Sequence, residues 1–259
     1  MRLVFMFMIY YGRVLKYKQT MQTHQTYFQY FSFGQGNFID KVLFQKRKEI
    51  FNCFMGQFSP TSLDKVLDIG VSDEEHTSSN LFEKYYPYTE NITAVGVDNF
   101  QHLEDIYPGL KFVQADGRHL PFADNSFDYV YSHAVIEHTG SRRLQTQFLA
   151  EARRVARKGI FITTPNRLHP IEFHTAIPLI HYLPHNWYRK IYQLLGKTFY
   201  SNEENLNLLT GKELTYLAKK ASQGQDDITL EHTKFLFFNA NLILIVKKGL
   251  SGGEFSGII

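Results

Sequence analysis

Short apolar runs alternate with stretches of helical period through the middle of this chain. Phe38 to Phe58 sets Val42, Leu43, Ile50, Phe51, Phe54 and Met55 on one stripe with Lys and Glu between them. That spacing predicts a helix, which Ser59-Pro60 closes. Lys65–Gly70, Thr93–Asp98, Lys111–Asp116, Phe127–Ser132 and Ile160–Thr164 are short runs rich in Val, Leu, Ile or aromatics. Continuous apolar runs of this length predict strands buried on both faces. Asn80, with Glu83 at the N3 position, opens a helix that stops before Pro87, and Leu103–Tyr107 forms a short helical turn. Ser141 caps a helix whose apolar face is Leu144, Phe148, Ala152 and Val155, with Lys158-Gly159 as its stop. Thr210-Gly-Lys-Glu213 reads as a capping box for a helix that buries Leu214, Leu217, Ala218 and Ala221. Ile228–Phe238 and Ala240–Lys248 are strands meeting at Asn239, too close together for any pairing other than antiparallel.

Repeated strand–helix units of this kind predict an α/β fold, a Rossmann-like doubly wound sheet in an α/β/α sandwich, mostly parallel with an antiparallel last strand. The domain runs from 38 to 248, after an N-terminal arm (1–37) and before a loose Gly-rich tail (249–259). Residues 166–205 break the rhythm. They are rich in Pro, His and aromatics, and an insertion at this point projects from the strand ends as a lid. In open α/β sheets ligands bind outside the carboxyl ends of the strands, where the strand order reverses. Asp68, Gly70 and Asp98 stand at two such ends.

Composition narrows the reading. With 44% apolar and 20% charged residues, the chain of 259 residues can bury a full core. A net charge of +3 is too mild to point to nucleic acid. Cys53 is the lone cysteine, which excludes an intrachain disulfide and suits a reducing, cytoplasmic location. The 23 Phe and 16 Tyr suggest apolar or flat ligands. The run Leu3–Tyr11 is too short to span a bilayer and lacks a small-residue cleavage site, so it reads as a packing arm, with weak membrane-surface contact as the alternative.

Several pieces stand in one order: Val66-Leu-Asp-Ile-Gly70, Gly96-Val-Asp98, Gln114-Ala-Asp-Gly117, Leu120-Pro-Phe122, Asn125-Ser-Phe-Asp128, Ala134-Val-Ile-Glu-His138, Glu151-Ala-Arg-Arg-Val155 and Thr163-Thr-Pro-Asn166. Together they resemble the class I S-adenosylmethionine-dependent methyltransferases, and more narrowly the type 11 small-molecule group. The resemblance implies S-adenosylmethionine as cofactor and a small-molecule or lipid-like acceptor. It implies cofactor contacts from Asp68, Gly70, Val71, Ser72, Asp98, Asn99, Phe100, Asp116, Gly117, Ser132 and His133. The chemistry agrees. Asp98 can accept from both ribose hydroxyls, Phe100 can pack on the adenine, and Asp116 can accept from its amino group beside the compact Gly117.

One departure stands out: Ser72 and Glu74 occupy the positions of the second and third glycines of the family's first loop. That loop is the one argument for the alternative, a non-catalytic binding or scaffold protein on a decayed methyltransferase fold. A nicotinamide dehydrogenase is excluded, because Gly70, Ser72 and Glu75 replace the glycines that let a pyrophosphate dock on a helix N-terminus. For catalysis the candidates for a base are His138 and His133, with Glu137 as an orienter. Asn166, Arg167 and His174 are candidate substrate contacts in the lid, along with Glu172. No metal site is expected, since Pro170 and Pro184 interrupt the close histidine pairs and no H-E-x-x-H pattern is present. Arg142, Arg143, Arg153, Arg154 and Arg157 read as a solvated face.

Overall fold

The computed structural model describes residues 38–72, 79–222, 224 and 226–249. The expectations for the arm (1–37), the loop positions 73–78 and the tail from 250 lie outside the described residues. In chain order the elements are α1 (Phe38–Phe58), β1 (Val66–Ile69), α2 (Leu81–Tyr85), β2 (Ile92–Gly96), α3 (Leu103–Ile106), β3 (Lys111–Gln114), β4 (Phe127–His133), α4 (Arg142–Val155), β5 (Ala156–Pro165), α5 (His185–Leu194), α6 (Thr198–Ser201), α7 (Gly211–Ser222), β6 (Asp227–Phe235) and β7 (Phe238–Lys247).

The strands form one seven-stranded sheet in the order β3-β2-β1-β4-β5-β7-β6. β1 to β5 pair in parallel, and β7 lies antiparallel to both β5 and β6. The strand order reverses between β1 and β4. Side chains alternate across the sheet, as the two-residue period demands. Leu67, Ile69, Val130, Ile160, Ile162 and Leu244 pack with Phe148, Leu149 and Leu217 from α4 and α7. Val66, Ala94, Tyr129, Tyr131, Phe161 and Ile245 pack with Ile50, Phe54 and Phe82 from α1 and α2. Phe54 is fully buried in that second layer, with its ring centroid 5.2 Å from Phe82, 5.5 Å from Tyr131 and 5.6 Å from Phe161. Much of the aromatic content thus serves the core. No described helix is long and apolar enough to cross a membrane.

Four local expectations need correction. Asn80 does not cap α2: its φ is 48°, and its side chain instead bonds both backbone groups of Ser72. β5 begins at Ala156, directly after α4, and Lys158-Gly159 lies inside the strand. Arg157 and Lys158 can enter the strand because acids receive them: Arg157 pairs with Asp128, and Lys158 with both Asp64 and Asp128. The final hairpin turns at Leu236-Phe237, two positions before Asn239, with φ values of 49° and 70°. Such a turn usually takes Asn or Gly, so these bulky residues hide it from a reading of turn chemistry. Nor do the arginines form one solvated face, since Arg143 is exposed but its neighbours on α4 are engaged. Arg142 bonds Glu213 and the Leu208 carbonyl, Arg153 pairs with Asp226, and Arg154 ties Glu151, Asp124 and the carbonyls of Leu120 and Phe122 together.

The capping box at Thr210 forms as expected. The Thr210 amide donates to Glu213 Oε2 at 2.8 Å, and the Glu213 amide to Thr210 Oγ1 at 3.3 Å. Because so many rings meet Phe54, Phe54→Ala should lower unfolding stability by roughly 3–5 kcal/mol. Urea denaturation would check this, and a loss under 1 kcal/mol would show that the surrounding rings can collapse into the space.

Candidate active site

The crevice at the strand reversal is built from backbone geometry first. After β1, the amides of Gly70 and Val71 both donate to the Val95 carbonyl, at 2.8 and 3.2 Å, which bends the chain over the end of β2. On the other side Ser132, fully buried, donates its hydroxyl to the Ile69 carbonyl at 2.8 Å and locks β4 to β1. Gly70 has φ +106°, and a Cβ there would lie 2.1 Å from Val135 Cγ2, so no larger residue fits. Ser72 is half-buried and held by Asn80.

Asp68 points to the α1–α2 layer and is buried against Glu83, a partner that sequence reasoning did not supply. Burial, and behind it the charge and hydrogen bond of Glu83, push the Asp68 carboxyl well above its ordinary value of 3.8. Burial also raises Glu83 above 4.5, against the pull of its hydrogen bond to Asp68. Burial of the two acids against each other thus favours their protonated forms.

At the ends of β2 and β3 the chain is more open. Asp98 and Asn99 are exposed, and Asn99 Oδ1 accepts from the Gln101 amide at 3.1 Å. Phe100 is half-buried and leans on Gly96, where a Cβ would lie 2.8 Å from its ring. Asp116 is held by Arg118, which donates its backbone amide at 2.8 Å and its Nε at 2.9 Å. Burial opposes ionisation of Asp116, but the Arg118 hydrogen bonds and charge win and keep its carboxyl below 3.8. Gly117 is buried under Phe148 and Ile69, which a Cβ would meet at 2.7 and 2.8 Å. Its smallness serves packing on the core side.

The third wall joins the end of β4 to the insertion. His133 Nδ1 lies 2.7 Å from Thr163 Oγ1 on β5, and burial followed by the Arg47 charge lowers its pKa to about 3. A 3-10 turn, Ile136–His138, follows β4. Its Glu137 is fully buried, and Glu137 Oε2 accepts from Thr164 Oγ1 at 2.9 Å. Burial raises this carboxyl to about 7, against the attraction of His174. His138 lies 2.6 Å from the Asn205 carbonyl through Nδ1, and burial with the His174 charge lowers its pKa to about 3. His174 meets Glu172 through Nδ1 at 2.6 Å. Glu172 also accepts from the His174 amide, the Thr175 amide and the Thr175 hydroxyl; burial opposes its ionisation, but the His174 charge and side-chain bond, with these hydrogen bonds behind them, hold it down to about 2.

Asn166 and Arg167 are occupied in knitting the insertion together. Asn166 bonds the Asn239 carbonyl and the Leu168 amide, and Arg167 bonds the carbonyls of His181 and Leu183. Tyr188 and Tyr192 of the insertion form a small core with Leu206 and Leu208, which follow it in the chain. Gln145, fully buried in α4, fastens it by donating to the carbonyls of both Ile136 and Asn207. The Asn207 amide in turn donates to the Glu137 carbonyl at 2.7 Å. A glutamine at a helix position that should be apolar was the one signal of this clasp in the sequence.

Sequence comparison agrees with this geometry. A family model described as "Methyltransferase domain" matches residues 67–163, from β1 to the far part of β5. Residues 67–163 are thus similar to that methyltransferase domain. Among curated proteins it is similar to the demethylmenaquinone methyltransferase of Staphylococcus epidermidis, 25% identical over 166 residues, which are 64% of this chain and 59% of that protein. Two solved structures share the fold. One is the Burkholderia thailandensis 1,6-didemethyltoxoflavin-N1-methyltransferase with bound 1,6-didemethyltoxoflavin and S-adenosylhomocysteine (TM-score 0.53, 13% identity, covering 80% of this chain and 79% of that one). The other is the Synechocystis magnesium protoporphyrin IX methyltransferase with bound S-adenosylhomocysteine (TM-score 0.51, 12% identity, covering 85% and 91%).

The buried acid pair gives a signed expectation. Both folded-state values lie above the unfolded ones, so the pair's contribution is fully present below about pH 4 and is lost as pH rises through the folded values. Glu83→Gln removes one of the two charges. Urea unfolding followed from about pH 4 upward should show the variant gaining on the wild type as pH rises. A difference that does not change with pH would mean that burial does not favour the protonated acids.

Proposed function

We propose that this chain transfers the methyl group of S-adenosylmethionine to a small-molecule or lipid-like acceptor. The observation that carries the reading is the exposed Asp98 at the carboxyl end of β2, beside the Gly70 turn at the strand reversal. A carboxylate there accepts from both hydroxyls of the ribose with charge-assisted bonds. Phe100 packs on the adenine, and the Asp116–Arg118 pair offers that base an acceptor and a donor edge. Gly70, Val71 and Ser72 run past the methionine part. Since the Ser132 hydroxyl is committed to Ile69, this residue borders the cofactor through its backbone.

Methyl transfer is an in-line displacement at a carbon that the positive sulfur already activates. Aligning nucleophile, methyl and sulfur in a dry site supplies several kcal/mol of the barrier. His133 and His138 border the acceptor side as neutral imidazoles at pH 7. His174 and the insertion above them close the acceptor's space. The relatives named for demethylmenaquinone and 1,6-didemethyltoxoflavin support a small-molecule acceptor. The replaced glycines after Gly70 favour a second reading, a ligand-binding protein without transfer activity.

Binding of S-adenosylhomocysteine tests the first requirement. Millimolar ligand should raise the melting temperature of the wild-type protein, and Asp98→Ala should abolish that rise while leaving the unliganded melt within about 0.5 kcal/mol of the wild type, as for an exposed position. Absence of any shift in the wild type would sink the enzyme reading. Binding that survives in Asp98→Ala would misplace the ribose.

A further inference from the structure

The methyl-transfer reading leaves one constellation unexplained, where the insertion meets the turn after β4. Glu137 and His138 come from that turn and His174 from the insertion. Each offers one donor atom, and the three atoms lie within 4.8 Å of one another. His138 Nε2 stands 3.9 Å from Glu137 Oε1. We propose that Glu137, His138 and His174 form a three-ligand site for a divalent cation of the zinc class, with one coordination position left to an oxygen donor, and that the ion fastens the insertion to the sheet.

The donor chemistry fits. A carbonyl only accepts, so His138 carries its proton on Nδ1 toward Asn205, which leaves a lone pair on Nε2 for a metal. His174 directs Nδ1 to the Glu172 carboxylate, which leaves Nε2 as its ligand atom. Glu137 engages Oε2 with Thr164, while Oε1 accepts no hydrogen bond among the described residues although the residue is fully buried. A carboxylate or carbonyl behind each imidazole is the arrangement that fixes the tautomer and ring plane of metal-binding histidines. Two imidazoles and a carboxylate with an open fourth position are a zinc donor set. Ligand distances of about 2.0–2.2 Å place tetrahedral donors about 3.3 Å apart, so the present spacing closes by about 1.5 Å at most. Small side-chain rotations supply that. The sequence hides the site because His174 is remote in the chain from Glu137 and His138, and its spacing to other histidines carries no pattern.

The competing arrangement is a metal-free network in which a cationic His174 bridges Glu172 and Glu137. Cobalt distinguishes the two. Full-length protein stripped with chelator and kept free of methyl donor is titrated with Co2+. One equivalent should give the visible absorption of four-coordinate cobalt, Zn2+ should displace it, and Zn2+ should raise the melting temperature. His174→Asn and Glu137→Gln should each remove the band. Glu172→Gln, which leaves all three ligands in place, should weaken Co2+ binding by about 10–100-fold with the band shape kept. Circular dichroism identifies a variant that fails to fold, and Glu172→Gln then carries the test. The proposal is overturned if stoichiometric Co2+ gives no band in the wild type, or if the band survives undiminished in the folded ligand variants or in Glu172→Gln. Because no methyl donor is present, the outcome is independent of whether the chain transfers methyl groups.

Discussion

β1 and β4 lie side by side and parallel, yet the chain leaves them by crossovers that diverge to opposite halves of the sheet. The gap between those crossovers is what the candidate site occupies. The backbone is fastened below it. Ser132 grips the Ile69 carbonyl, and Val95 receives the amides of Gly70 and Val71. Every other feature of the site is placed relative to this seam. Asp98 stands one strand to one side, and the Ile136–His138 turn follows on the other.

The helices and the insertion hold the seam from three directions. Phe54 and its ring of aromatics press α1 and α2 onto one face, and Phe148 from α4 reaches under Gly117 on the other. At the end of the sheet, Gln145 and Asn207 join the insertion to the turn that carries Glu137. That junction is polar and buried, so each group in it depends on its partner's geometry in a way an apolar contact would not.

Much of this could be read in the sequence where local signals and burial agree. The stripe from Phe38 to Phe58 gave α1 with its observed bounds, the apolar runs gave β1 to β5, and Thr210 with Glu213 formed the capping box. Asp98 stands out in the sequence because a polar residue ends an apolar run, and it lies exposed at the carboxyl end of β2. The failures share a cause: each depends on a partner distant in sequence. Lys158 looked like part of a helix stop until Asp64 and Asp128 received it, and Arg142, Arg153, Arg154 and Arg157 looked solvated until their acids were located. Leu236-Phe237 turns the chain against its own preference because the pairing of β6 with β7 on both sides requires it. Glu83 behind Asp68 and His174 opposite His138 were hidden in the same way.

Gly70 and Val135 have one more consequence. The valine methyl occupies the volume that a side chain at 70 would need, so the two positions are not free to vary separately. A descendant of this chain that enlarged residue 70 would have to shrink residue 135 in the same step, and it would still face the left-handed backbone at that turn. The loop that starts at Gly70 is thus anchored at an end whose size Val135 fixes. The strand-end turn that defines the crevice rests on two residues of matched size.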